Sequence, residues 1–232
     1  MLRNPYKHEM KPQSAKQKGR KFQQWTAAKL TELLKLREGD IRSLSMGASG
    51  DDLLLSPAAR DVLPFDFECK CVEKLGIWPT LHQAWSRSDY KGGHHHYETG
   101  GRDDDPARHP VVVARRNHIK PVVVLPFGWV YNTRTDTRTL PARATTVKGE
   151  LAAAIKTLMP RDDASGDFEW HCGASTVRVR CHEGNTMPFW PTVDTATADR
   201  VQYLLFNRDD PDMPIMAVMP WTTFEMLLTM KR

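Results

Sequence analysis

At 232 residues, with 40% hydrophobic and 26% charged side chains, the chain has the composition of a folded globular protein, which by itself names no activity. No run approaches the roughly 18 apolar residues of a membrane-spanning helix, and the basic start is not followed by an apolar signal region. Both features predict a cytoplasmic protein without a membrane partner, in the host cytoplasm if phage-encoded. A net charge of +5 and a pI near 9.0 have the sign expected of a protein that meets polyanions. Four cysteines do not make a secreted disulfide framework in a chain of this length and read as reduced thiols.

The amino terminus holds the densest positive charge. Arg3, Lys7, Lys11, Lys16, Lys18, Arg20 and Lys21 stand against the single acid Glu9. Residues 1–13 read as a flexible basic tail, either simply solvated or tracking phosphates. From Ser14 to Leu36, Phe22, Trp25, Leu33 and Leu36 recur near helical spacing, predicting an amphipathic helix. Gly39-Asp40 breaks it, Ile41 to Met46 can be extended, and Gly47 to Gly50 form a turn before Leu53-Leu54-Leu55, which Ser56-Pro57 ends. After Pro64 the alternation is regular: Phe65, Phe67, Cys69 and Cys71 on one face of a strand, Asp66, Glu68 and Lys70 on the other.

Residues Ile77 to Trp85 look helical, and Ser86 to His109 read as a long functional or mobile loop. Strands follow at Val111 to Arg115 and Pro121 to Leu125. The order helix, three strands, helix, two strands predicts an α/β core, a mixed sheet flanked by helices, over residues 14–128 with a loop insertion at 86–109. Residues 129–232 read as a smaller α+β unit packed on it. That unit should hold a helix near Val147 to Leu158, strands near Thr176 to Cys181, Val201 to Phe206 and Pro214 to Met219, and a last helix near Trp221 to Met230. Asp66 to Cys71 is echoed faintly by Asp167 to Cys172, a match short enough to arise by chance.

Phosphodiester hydrolysis needs charge neutralisation on the phosphate, an activated water and a stabilised leaving oxygen. Mg²⁺ needs few carboxylates besides waters and substrate oxygens, so two acids from neighbouring strands suffice, and Asp52 and Glu68 are candidates. An acid-x-Lys triplet on a strand puts carboxylate and ammonium on one face. Such triplets also arise by chance: Glu9-Met10-Lys11 lies in the tail and Asp89-Tyr90-Lys91 in the loop. Only Glu68-Cys69-Lys70 sits on an alternating strand behind an apolar run headed by Asp51-Asp52. The bland alternative is an edge strand with a solvated charged face.

With Gly50 to Pro57, then Pro64 to Lys70, Ile77-Trp78 and Gln83-Ala84, the region from about Ser14 to Leu125 resembles the PD-(D/E)XK nucleases. It is most similar to phage and archaeal members that look like Holliday-junction resolvases. The resemblance implies a restriction-endonuclease-like core, a DNA substrate, branched where the task is recombination, and Mg²⁺ with Mn²⁺ able to substitute. It implies Asp52 and Glu68 as metal ligands, Lys70 as catalytic lysine and the Cys69 backbone carbonyl as a further ligand. Gln83 matches a position that contacts site or DNA in similar nucleases. Many relatives carry a glutamate on the first helix where this chain has Gln23-Gln24, so Gln24 is the accessory oxygen to consider, and Asp51 is an alternative to Asp52. Resolvases usually act as dimers, so a homodimer is one expected arrangement. A restriction or end-processing nuclease of the same fold, or a non-catalytic DNA-binding protein, is the alternative.

Lys18, Arg20, Lys21, Arg115, Arg116 and Lys120 are the candidate DNA-backbone contacts, with a solvated basic turn as the alternative for the last three. His94 to His96 with Asp103 to Asp105 and Arg102 read as a solvated loop rather than a native metal site. His171, Cys172, Cys181 and His182 have the residue types of a zinc site, though neighbours on a strand face opposite ways. Trp190 and Trp221 could stack on unpaired bases or belong to the core. No phosphate-cradling glycine loop followed by Lys-Ser or Lys-Thr is present, so no ATP is expected.

Overall fold

In the computed structural model the described residues are 12–44, 51–87, 108–135, 158–160, 167–172, 175–182, 186–206 and 215–230. The chain is an α/β protein built on one mixed sheet with helices on both faces. The first elements are α1 (Pro12–Leu34), β1 (Ile41–Ser43), β2 (Leu53–Leu55), α2 (Pro57–Val62), β3 (Phe65–Cys71), α3 (Ile77–Arg87), β4 (His109–Arg115), β5 (Val122–Pro126) and α4 (Phe127–Thr135). They are followed by β6 (Leu158–Pro160), β7 (Phe168–Cys172), β8 (Ser175–His182), α5 (Phe189–Ala198), β9 (Tyr203–Phe206), β10 (Met216–Pro220) and α6 (Trp221–Met230). Among the described residues no helix is long and apolar enough to cross a membrane.

Eight strands join in the order β3-β4-β5-β10-β9-β8-β7-β6. Two neighbouring pairs are parallel, β3 with β4 and β8 with β9, each with a helix in its crossover, and the rest are antiparallel. Strands from both parts of the chain thus share one sheet, β10 lying against β5 from Met216↔Pro126 to Pro220↔Val122. The antiparallel pair β1-β2 stands beside β3, tied to it by the Asp52 N–H, which donates to the Phe67 carbonyl at 2.9 Å.

Alternation along the strands fills two cores. Phe65, Phe67 and Cys69 of β3 and Val111 and Val113 of β4 face the layer of α1, α4 and α6. Val112 and Ala114 of β4 and Leu204 and Phe206 of β9 face α3 and α5. Helix α1 buries Phe22, Ala27, Leu30 and Leu34, an i, i+5, i+8, i+12 stripe, against β1 and β3. Trp25 packs on Trp221 with ring centroids 5.0 Å apart. Trp190 and Trp221 are both core residues, which excludes the base-stacking role for them.

Three helices escape the sequence reading. Ser56-Pro57 does end β2, but it also starts α2: the Ala59 N–H donates to Ser56 Oγ at 3.2 Å, with Pro57 in the first turn. Helix α4 has weak helix formers and is held by burial of Phe127, Trp129 and Val130. Helix α5 carries Pro191 in its first turn, where a missing N–H costs nothing. The predicted helix near Val147 to Leu158 falls outside the described residues except for Leu158, which is in β6. Most of the basic tail and the histidine-rich part of the 86–109 loop also lie outside them.

Candidate functional site

Because β3 alternates, its polar residues Asp66, Glu68 and Lys70 point to the face covered by α3 while its aromatic residues enter the opposite core. Asp66 is 2% exposed and Glu68 3%, so this face is not a solvated edge. Glu68 Oε1 is ion-paired with Lys70 Nζ, and Lys70 Nζ donates to Gln83 Oε1 of α3 at 3.1 Å. Strand and helix therefore fix the ammonium from two sides. Buried carboxylates demand such partners, because an uncompensated charge there costs several kcal/mol, on the order of 3–5.

Asp52 reaches the same strand through its backbone and side chain. Its Oδ2 accepts from the Cys69 N–H at 2.6 Å, between Glu68 and Lys70 in the chain. The Cys69 carbonyl is the remaining ligand that the family resemblance implied. Burial pushes the Cys69 thiol well above its usual range, and the Asp52 and Glu68 carboxylates push it further, so it stays protonated and inert. Among the described residues Cys69, Cys71 and Cys181 form no disulfide.

A second acid pair adjoins the first. Asp66 Oδ1 lies 3.4 Å from Arg60 Nη1 and 3.6 Å from Arg108 Nη1, and Asp51 Oδ2 lies 3.9 Å from Arg60 Nη2. Burial raises Asp51 from 3.8 to about 7, helped by the charge of and a hydrogen bond with Asp66, and opposed by Arg60 and Arg108. Asp51 and Asp66 thereby share a proton. Asp51 thus belongs with Asp66 and the arginines, whereas Asp52 meets the Glu68-Cys69-Lys70 segment. Asp66 was readable from its place in the alternation; Arg60 and Arg108 had no sequence signal.

On α1 the two glutamines separate. Gln24 is exposed, so it does not supply the accessory oxygen considered for it. Gln23 is 5% exposed at the centre of the buried stripe, and its Oε1 has no hydrogen-bond partner among the described residues. Helical phase explains the exchange: one residue turns the side chain about 100° around the axis.

The donor set suits a hard divalent cation in its chemistry. Asp52 and Glu68 offer carboxylate oxygens, the hard ligands that such a cation prefers. Among the described residues no three acids, histidines or cysteines converge on one point. The protein's share would therefore be the pair Asp52 and Glu68, with Lys70 and Gln83 beside it.

The basic candidates gather at the carboxyl end of the β3-β4 pair. Cys71 is in register with Arg115, and Lys18 Nζ of α1 donates to Asn117 Oδ1 at 3.3 Å in the β4-β5 turn. Arg20, Lys21 and Lys120 are exposed. Arg115 lies over the Phe22 ring at 5.0 Å. Arg116 is taken up by a 2.6 Å ion pair with Asp194 and a stack on Trp190, which makes it a poor phosphate contact. The possible zinc quartet does not assemble. His171↔Thr176 and Cys172↔Ser175 stand at one end of β8 and Cys181 and His182 at the other, about 17 Å away at ~3.4 Å per residue.

Comparison with protein-family models, curated proteins and solved structures finds no match to this chain.

Proposed function

We propose that the chain is a metal-dependent DNA endonuclease of the PD-(D/E)XK kind, with a restriction-endonuclease-like core, selective for branched DNA as junction resolvases are. The observation that carries this reading is the buried Glu68-Lys70 ion pair on the motif strand, steadied by Gln83 and flanked by the Asp52 carboxylate on the Cys69 amide. A solvated charged edge would need none of this burial or pairing.

Mg²⁺ or Mn²⁺ held by Asp52 and Glu68 would neutralise the scissile phosphate and acidify a bound water. Lys70, fixed by Glu68 and Gln83, would orient that water and offset the charge growing on the phosphate oxygens. Asp52 is held against the motif strand by its hydrogen bond from the Cys69 N–H, which fixes the carboxylate in advance at little entropic cost. Lys18, Arg20, Lys21 and Lys120 would track the DNA backbone beside the carboxyl end of β3, setting the register of the phosphate without reading sequence.

The test is cleavage of four-way junctions, flaps, single strands and duplexes by purified protein with Mg²⁺ or Mn²⁺. Glu68→Gln and Lys70→Ala should abolish cutting and leave DNA binding largely intact. If every substrate stays uncut, or if either variant cuts at the normal rate, the reading fails. Preference for duplex ends over junctions would instead assign the same site to end processing.

A further inference from the structure

The two parts of the chain repeat one another around the middle of the sheet. Cross-strand register gives a single row, Glu68, Val112, Val124, Val218, Leu204, Arg180, running from β3 to β8 on one face. The row reads the same from either end: parallel pair, antiparallel step, central pair. Val124 and Val218 face each other at its centre, and both end their strands in Pro followed directly by an aromatic-led helix. Across that centre, the Phe127 N–H donates to the Ile215 carbonyl at 2.8 Å and the Trp221 N–H to the Pro121 carbonyl at 3.0 Å, the same bond made twice.

The crossover helices agree. Trp78-Pro79-Thr80 of α3 is repeated as Trp190-Pro191-Thr192 of α5, four residues before Ala84 and Ala196 in the two helices. Thr80 Oγ1 donates to the Gly76 carbonyl at 2.8 Å and Thr192 Oγ1 to the Pro188 carbonyl at 2.9 Å. A relation that keeps both helices on one face and reverses strand direction is a two-fold axis perpendicular to the sheet. The equivalence differs from the Asp66 and Asp167 echo: Phe67, Cys69 and Lys70 of β3 correspond to Val179, Cys181 and His182 of β8.

The charges do not repeat. Asp66 and Glu68 correspond to Arg178 and Arg180, which converge on the fully buried Asp167 with Nε contacts of 2.6 and 2.7 Å. Two cations stand where a divalent metal would need anions, so this position repels what its mate attracts. We propose that the chain is an internally duplicated pair of units whose first unit alone holds a metal, so that one copy engages DNA and cuts one strand per encounter. This rests on the nuclease reading for the cutting step. The mate of Glu68 lies five strand spacings away, about 24 Å at ~4.8 Å each, on the same face. The edge of β5 that a second copy could have paired with is already taken by β10, so the single chain supplies the paired arrangement expected of a dimer.

Two measurements on the full chain test it. Calorimetric titration with Mn²⁺, with mass by light scattering, should give about one metal per monomeric chain, lost in Asp52→Asn and retained in His182→Ala. Supercoiled plasmid should then accumulate as nicked circles, with linear product appearing only after a lag and a rate of first order in protein. Two metals per chain, no metal at all, an obligate dimer or linear DNA formed together with the first nicks would overturn the proposal. If plasmid and four-way junctions both stay uncut while one Mn²⁺ binds per monomer, the nuclease reading fails and the one-metal duplication stands.

Discussion

Lys70→Met tests the centre of the site with a change that keeps the aliphatic stem and removes the charge. In the folded protein the Glu68 side chain is 4% exposed and that of Lys70 26%. At an effective dielectric near 20, opposite charges about 4 Å apart attract by about 4 kcal/mol. Partial solvation of the ammonium and the ordering of its stem reduce this, leaving about 2–3 kcal/mol, because Glu68 is then buried with its main partner gone. The double variant Glu68→Gln, Lys70→Met should regain more than half of that loss, since no lone buried charge remains. Urea denaturation of the four proteins forms a cycle that isolates the pair. A single-variant loss below about 0.5 kcal/mol, with no coupling in the cycle, would refute the claim that the pair is buried and mutually compensating. On the activity side Lys70→Met should lower the cleavage rate by about 10²–10⁴-fold, the range of positioned acid-base and orienting groups. A folded variant with near-normal cleavage would separate the ion pair from the chemistry.

The other predictions follow from neighbouring groups. Asp51 is raised to about 7 in the folded chain against an ordinary 3.8, so its contribution to stability is present below about 4 and is lost as pH rises towards 7. Chelator-treated protein should therefore lose stability across that window relative to Asp51→Asn, and equal pH profiles in thermal melts would reject the shared proton. Asp167→Ala should cost about 3–5 kcal/mol in urea, because it strands Arg178 and Arg180 around an empty position; a loss under about 1 kcal/mol would show the triad to be ornamental. Lys120→Ala should weaken DNA binding and lower its salt slope by about one, whereas Arg116→Ala should leave the slope and lower stability, since Arg116 is committed to Asp194 and Trp190. Equal slopes for wild type and Lys120→Ala would remove that lysine from the interface.

The strand of the candidate site was legible because alternation needs only local sequence: aromatic residues inward, Asp66, Glu68 and Lys70 to the other face. Gln83 was legible from the resemblance alone. What could not be read was set by tertiary context. Gln23 and Gln24 differ by one helical step, and only the packing of α1 on β3 decides which is buried. Arg60 reaches Asp66 only because α2 folds back beside β3, Arg108 reaches it from the far side of the loop insertion, and Arg116 loses its availability to an acid 78 residues away. Helix α4 is carried by burial rather than propensity, so its sequence holds little signal of it.

The duplication shows which sequence signals survive. A match built on charged residues, Asp66 to Cys71 against Asp167 to Cys172, pairs strands that occupy different places, β3 and β7. The repeat that does correspond is Trp-Pro-Thr with an alanine four residues on, and its residues serve packing and helix starts. Each half must cover its sheet face with a helix beginning at the same point, so bulk, proline and the threonine-to-carbonyl bond are constrained twice. Charge is constrained only where chemistry needs it. On the proposed reading the second unit holds no metal, and Arg178 and Arg180 with Asp167 satisfy burial there at opposite sign. The unit's polar face therefore reports function and its apolar face reports descent, so a repeat search weighted to apolar and proline positions would have found the pairing that charged positions concealed.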